Sequence, residues 1–411
     1  MLKIVASKIK KMRKFAPSNF VMRILVVLPR FPYPLEKGDK LRAYHQLKNL
    51  SQRHELYLVA LHEGIPDAHS LDKVRPFCKE MHVIHLSRFG RLWNAGTAFL
   101  RGLPVQCGYF YNRKAQRTIN ELIDRVKPER IYCQLVRVAE YVKNANIQKT
   151  LDFQDVLSKG MQRRSELAPW YMKPFFNSEA RRLARYERNI FSYFDEKVII
   201  TEVDRDLIPH DDSHQIHVIA NGVDFDQYDH ARAVEKKYDL IFSGNMNYPP
   251  NIDAATYLAK EVMPCLLRDH PELKLVICGA NPAPTVQALA SKNIIITGWV
   301  DDMAEYYAQS RIFIAPMRLG TGLQNKLLEA MSMKLPCITS PLAGAPLKGI
   351  AHGKEILVCS TTTGYVDAVN HLLEDSESYA SIAESGHQFV RRNYNWEKMN
   401  QLLESVIIGK R

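Results

Sequence analysis

The chain has 411 residues, 46% of them hydrophobic and 24% charged, with 19 glycines and 21 prolines. That length points to two or three domains, and that composition excludes a disordered tail, a collagen or a disulfide-stapled miniprotein. The formal net charge is +12, but the excess is local. Residues 1–35 hold Lys3, Lys8, Lys10, Lys11, Arg13, Lys14, Arg23 and Arg30 and no acid, so the chain does not read as a nucleic-acid binder with a basic folded face.

In residues 1–21, Val5, Ile9, Met12 and Phe15 recur at helical spacing among lysines. This is the pattern of a basic amphipathic arm suited to an anionic membrane surface. Met22 opens the first strand and is a second candidate for the initiator, in which case the arm is an extension. No run of 18 apolar residues exists, so no membrane-spanning helix is expected. The basic start lacks an apolar core before a cleavage site, so no secretory signal is expected either. The seven cysteines form no CxxC pair, and several sit in apolar runs. They read as buried free thiols of a reducing cytosol. The expected location is cytoplasmic, with peripheral contact on the inner face of the membrane.

Met22–Leu28 is a short apolar run broken by Pro29, Pro32 and Pro34, the mark of a buried parallel strand feeding a loop. Lys37-Gly38-Asp39-Lys40 follows, then a helical pattern with Leu41, Tyr44, Leu47 and Leu50, and a second strand at Leu56–Leu61. Further strands are expected at Met81–Leu86, Arg130–Gln134, Lys149–Phe153 and Lys197–Thr201, with a charged helix over Glu179–Arg188. The pattern then restarts. Strands are expected at Tyr238–Ser243, Leu273–Cys278, Ile294–Thr297, Arg311–Ala315, Cys337–Thr339 and Ile356–Cys359, and helices at Ile252–Arg268, Leu323–Met333 and the C-terminal stretch. Two successive α/β patterns predict two Rossmann-like domains with parallel sheets, facing one another across a cleft. The expected divisions are the arm 1–21, an N-terminal domain 22–230, a C-terminal domain 231–385 and a helical tail 386–411 that crosses back to the N-terminal domain.

The segment most telling for chemistry runs from Ala315 to Met331. A strand ends, Gly320 and Gly322 make a turn, and a helix opens near Leu323. Glycines let a ligand approach the backbone, and the N–H groups and dipole of a helix start favour phosphate. Lys326 in the first turn adds a point charge, unless it is a solvated helix-face lysine. Glu329, three residues on, is placed to bind a ribose diol, unless it is simply exposed.

Taken together, several segments resemble the retaining GT-B glycosyltransferases of the family four type (glycosyl transferases group 1). They are Arg30-Phe31-Pro32 with Gly38, Asn221-Gly222-Val223-Asp224, Phe242-Ser243-Gly244, Gly298 to Asp302, and Gly320 to Met331, in the family's order across residues 22–400. Gly38 to Arg42 also resembles a subgroup tied to bacterial exopolysaccharide clusters. The resemblance implies that Glu329 contacts the nucleotide ribose. It implies that Gly38 and Gly244 line the diphosphate and that Val300 borders the nucleobase, with Trp299 either beside it or in the core. It implies no cofactor and no metal, with a nucleotide sugar of UDP or GDP as co-substrate.

The chain also departs from the family. The first acid of the family's donor motif falls at Thr321, which leaves the backbone of Gly322, Leu323 and Gln324 to hold the donor sugar. The usual basic pair falls at Asn245 and Pro250, so Lys326 and Arg318 are the expected replacements. Asn245 and Asn247 either contact phosphate or acceptor or form a turn. The family's mid-domain His is absent from Ile131 to Arg137, where Gln134 or Arg137 would stand in. Asp155 is either a general base or acceptor anchor, or a helix cap. His210-Asp211-Asp212-Ser213-His214 lacks metal-ligand spacing and reads as a polar loop. Asp301-Asp302 reads as a helix N-cap.

The expected activity is transfer of a sugar to a hydroxyl with retention, Lys326, Glu329 and Asp155 being the catalytic candidates. The expected acceptor is a lipid-linked or growing cell-surface polysaccharide, and no nucleic acid is expected as a partner. The alternatives are a non-catalytic partner in a polysaccharide assembly complex and a sugar-nucleotide epimerase.

Overall fold

The computed structural model describes residues 21–228, 234–320 and 322–409; Thr321 and all but the last residue of the arm 1–21 lie outside them. Among the described residues thirteen strands form two parallel sheets. The first comprises β1 (Arg23–Leu28), β2 (Glu55–His62), β3 (Glu80–His85), β4 (Arg130–Gln134), β5 (Lys149–Asp152), β6 (Glu196–Ile199) and β7 (His217–Val218). Its order is β3-β2-β1-β4-β5-β6-β7. The second comprises β8 (Tyr238–Ser243), β9 (Leu275–Cys278), β10 (Ile294–Gly298), β11 (Ser310–Ala315), β12 (Cys337–Thr339) and β13 (Leu357–Val358), in the order β10-β9-β8-β11-β12-β13. Two such sheets, each flanked by helices, are the GT-B architecture.

The strands are apolar on both faces because helices cover both. In β1, Ile24 to Leu28 are all buried, and in β9 Leu275 to Cys278 are fully buried, as parallel α/β sheets require. Short apolar runs therefore mark most strands to within a residue or two. The helix expected at Ile252–Arg268 is interrupted: Pro249–Tyr257 and Met263–Asp269 are α-helical and Leu258–Val262 between them is π-helical. Pro264 lacks the N–H that would continue the regular ladder. The helix expected from Leu323 begins at Asn325.

The chain divides into two compact units. One takes the residues up to Asp152 with Ser192–Glu196 and the C-terminal stretch from Val406. The other takes Phe153–Phe191 and Lys197–Ser405. The C-terminal stretch is held in the first unit by Arg130, whose guanidinium donates to the carbonyls of Ile407 and Ile408 at 2.9 and 2.6 Å.

In each sheet the chain runs outward from a central strand and then returns to its other side. The switch falls between β1 and β4 in the first sheet and between β8 and β11 in the second. Open parallel sheets take ligands in the crevice outside the carboxyl ends of the strands at that switch.

Candidate functional site

The carboxyl end of β8 turns sharply at Gly244, with φ at +151°. A side chain there would meet Asn251 Nδ2 at 2.7 Å and Lys326 Nζ at 2.9 Å. Its neighbour Gly279, after β9, has φ at +142°, and a Cβ there would fall 1.7 Å from the Gly244 carbonyl oxygen. The two glycines let the strand ends pack backbone on backbone and leave the mouth of the crevice open.

Lys326, from the helix Asn325–Ser332 that follows β11, reaches this turn. Its Nζ donates to Asn251 Oδ1 at 2.6 Å and lies 4.6 Å from the centre of the Phe242 ring. Asn251 is fixed in turn by donating to the Asn245 carbonyl at 2.9 Å. Among the described residues no carboxylate ion-pairs with Lys326. Burial pushes its ammonium down to about 7, and the nearby Glu329 charge only partly opposes that. The cation is thus held by a neutral amide and an aromatic face, in surroundings that favour a further anion. Gln324, at the N-cap position of the helix Asn325–Ser332, makes no side-chain cap hydrogen bond, and the N–H groups and dipole of that helix start favour an anion.

Glu329 lies one turn further along the same helix. Tyr307 Oη donates to Glu329 Oε2 at 3.1 Å and stands 2.8 Å from Ser243 Oγ. Burial raises the Glu329 carboxyl above the usual range, against the hydrogen bonds of Tyr307 and Tyr228 and the charge of Lys326. The two tyrosines orient the carboxylate and leave it acceptor capacity for a diol.

The other candidates divide. Asn245 Oδ1 accepts from the Asn247 N–H at 3.0 Å and so serves the turn. Pro250 packs 3.5 Å from where a Cβ on Gly320 would sit. Arg318 is taken up by Asp253 in a two-pronged pair of 3.0 and 2.6 Å and lies over the Tyr257 ring. Of the two expected replacements for the missing basic pair, Lys326 is therefore the one without an acid partner among the described residues. Gly322 and Leu323 are partly exposed in the loop before the helix, and Gln324 is its N-cap position. Val300 is partly buried after β10. Trp299 is 59% exposed, so it is not core. Asp302 is the N-cap of Met303–Ala308 and accepts from the Ala304 N–H.

In the first unit Gly38 opens the helix Gly38–Leu50 after β1, with nothing within 4 Å of a would-be Cβ. Gln134 donates to the Asp39 carbonyl at 3.1 Å, and Arg137 lies over the Phe110 ring. In the second unit Asp155 is exposed just after β5 and is not the cap of the helix Leu157–Leu167. Glu187 takes that place, accepting from the Ser158 N–H at 3.2 Å. His210 Nδ1 accepts from the Asp212 N–H and its ring stacks on Phe191.

Asn251, Tyr307, Tyr228 and Gly279 were not singled out by the sequence, and Phe242 entered only as part of the segment Phe242-Ser243-Gly244 and not for its ring. Gly279 had a readable signal, since it ends the apolar run Leu275–Cys278 as Gly244 ends Tyr238–Ser243. The others come from separate elements, with no spacing that links them.

The crevice at the β8/β11 switch, with Lys326, the start of the helix Asn325–Ser332 and the oriented Glu329 carboxylate beside it, lies where open parallel sheets of the α/β class take their ligands. Residues 237–375 match the family described as Glycosyl transferases group 1, so this stretch of the chain is a domain of that family. Sucrose-phosphate synthase of Thermosynechococcus elongatus superposes over 93% of this chain and 98% of its own, with a TM-score of 0.68 and 12% identity. Anabaena HepE, solved in complex with UDP and glucose, covers 95% of this chain and all of its own, with a TM-score of 0.66 and 13% identity. In sequence the chain is similar to an uncharacterized 44.6 kDa protein in the cps region of Klebsiella pneumoniae, 22% identical over 92% of this chain and 97% of that one. It is also similar to N-acetyl-alpha-D-glucosaminyl L-malate synthase of Bacillus anthracis, 28% identical over 33% of this chain and 37% of that one.

Proposed function

We propose that the protein transfers a sugar from a nucleotide diphosphate sugar to a hydroxyl of a lipid-linked or growing cell-surface polysaccharide, with retention at the anomeric carbon. The observation that carries this is Lys326, a cation lodged at the Gly244 turn against Asn251 and Phe242 with no acid partner among the described residues. A diphosphate placed there gains both the ammonium and the N–H groups of the helix start, and Glu329 takes the ribose diol. As the bond to the sugar breaks, charge builds on the leaving diphosphate, where Lys326 and the helix N–H groups stabilise it. That oxygen takes the acceptor proton on the same face of the sugar, which gives retention. In this scheme Lys326 supplies the positive charge and no metal ion is required. UDP is the favoured nucleotide and GDP the runner-up; the UDP complex of the structural neighbour HepE supports the former. The relative in a cps region supports a capsule or surface-polysaccharide acceptor.

Thermal shift against UDP, GDP, ADP and dTDP, with and without Mg²⁺, tests the donor site. One nucleotide should raise the midpoint by several degrees without metal, since saturation near 100 times Kd adds about 2.7 kcal/mol. Glu329→Ala should fold and lose that shift. A nucleotide shift that survives in Glu329→Ala would remove Glu329 from the ribose, and no shift with any nucleotide would overturn the reading.

A further inference from the structure

The helix Arg88–Leu100 is amphipathic the wrong way round. Its bulky apolar residues face outward: Phe89 is 88% exposed, Leu92 70%, Trp93 74% and Leu100 85%. Leu92 and Trp93 lie three and four residues after Phe89, and Leu100 lies seven residues, about two turns, after Trp93, so they form one stripe. The inward face is small or polar. A Cβ on Gly108 would fall 2.4 Å from both the Ala98 Cβ and the Asn94 carbonyl, so the helix sits on its neighbour Val105–Tyr109 by close backbone approach. Asn94 donates to the Tyr111 carbonyl at 2.8 Å, and Arg91 is paired with Glu63 and Tyr109. Folding thus fixes the helix through its small and polar side and leaves the large apolar side in solvent, an arrangement that costs free energy unless something covers it.

Charge selects the cover. Residues 86–120 hold Arg88, Arg91, Arg101, Arg113, Lys114 and Arg117 and no acid. Arg88 and Arg101 stand exposed at the two ends of the stripe. A second copy of this face would set like charge against like. So would residues 1–20, which hold six basic residues and no acid. A surface that accepts Phe, Leu and Trp while attracting arginine is the interface of an anionic bilayer. A 13-residue helix, about 20 Å long, lies in such an interface and does not span it.

We propose that the outward face of the helix Arg88–Leu100 docks the protein on an anionic membrane, with Phe89, Leu92, Trp93 and Leu100 entering the acyl boundary and Arg88 and Arg101 on the headgroups. This stands on its own observations and not on the donor reading, so its test reads binding rather than activity. The full chain should float with vesicles of about 30% phosphatidylglycerol in phosphatidylcholine and about tenfold less with phosphatidylcholine alone. The variant F89S/L92S/W93S/L100S should keep the wild-type melting curve, because those side chains are in solvent, and lose at least about tenfold in flotation. Arg88→Glu with Arg101→Glu should lose a similar factor, while removal of residues 1–21 should leave most of the binding. In a chain whose tryptophan is Trp93 alone, with Trp170, Trp299 and Trp396 changed to Phe, lipids brominated on the acyl chain should quench its fluorescence. Wild-type flotation by the serine variant, or an unquenched Trp93, overturns the proposal. So does burial of the face between two copies of the chain, read as a wild-type dimer that the serine variant converts to monomer.

Discussion

The two sheets share one topology, and their switch points handle charge in opposite ways. Near the β1/β4 switch the charges are neutralised inside the protein. Arg42 and Asp152 are fully buried and paired at 2.6 Å, with Tyr132 donating to the same carboxylate and Gln46 against both. Burial disfavours the Arg42 charge, and Asp152 and Tyr132 outweigh it and hold the group ionised. Arg30 is paired with Asp39 and Lys40 with Glu36. At the β8/β11 switch Lys326 leans on an amide and a ring, and Glu329 on tyrosine hydroxyls. The same crevice is a closed ledger of charge in one sheet and an open one in the other. A ligand with phosphate adds most where charge is left uncompensated.

Breaking each crevice should therefore have different consequences. Arg42→Ala leaves Asp152 buried without its main cation and should cost about 3–5 kcal/mol, read as a large fall in the urea midpoint. A fall under about 1 kcal/mol would mean that the pair is not structural.

Lys326→Met removes a buried, partly discharged ammonium and should leave stability unchanged or raised, while turnover falls by about 100-fold. The pH dependence sharpens this. In the fold Lys326 titrates near 7, far below its ordinary range. Between the two values the unfolded chain holds a proton that the native one does not, so Lys326 makes stability rise with pH across that window. Below about pH 7 the ammonium is charged before a nucleotide arrives, and above it binding must take up a proton. Nucleotide affinity should fall as pH rises from 7 to 9, and both slopes should vanish in Lys326→Met. Affinity that is flat with pH in the wild type would place the diphosphate elsewhere.

The smallest effect concerns Glu187, away from both crevices. It caps the helix Leu157–Leu167 with one oxygen, while Oε2 is buried with no hydrogen-bond partner among the described residues, and burial raises its carboxyl to about 7. The native state then holds the extra proton above the ordinary carboxylate range, so stability is full below that range and falls as pH rises toward 7. Glu187→Gln keeps an acceptor for the Ser158 N–H and should gain about 1–3 kcal/mol at pH 8 while losing that slope. An unchanged slope in a pH series of melts would assign it to another group.

Most strands were legible because parallel strands buried on both faces must be continuous apolar runs, as in Tyr238–Ser243 and Arg130–Gln134, both found with those bounds. The phosphate turn was legible for a similar reason, since glycines mark backbone that a side chain would obstruct. The helix Arg88–Leu100 drew no attention in sequence, and its periodicity could not have said which face turns inward. An apolar stripe is normally read as core. Here the close packing of Ala98 and Asn94 on Gly108 turns that stripe to solvent.

By itself the sequence determined the α/β class, the position of nearly every strand along the chain and the glycine turn with Lys326 and Glu329 beyond it, because these follow from local periodicity and local backbone constraint. Tertiary structure alone decided which charges are paired. Arg318 finds Asp253, Arg42 finds Asp152, and Lys326 finds Asn251 and Phe242. Each of those partners lies 65 or more residues away in the chain, so no spacing encodes the pairing, and the free energy of a charge depends on what the fold brings beside it.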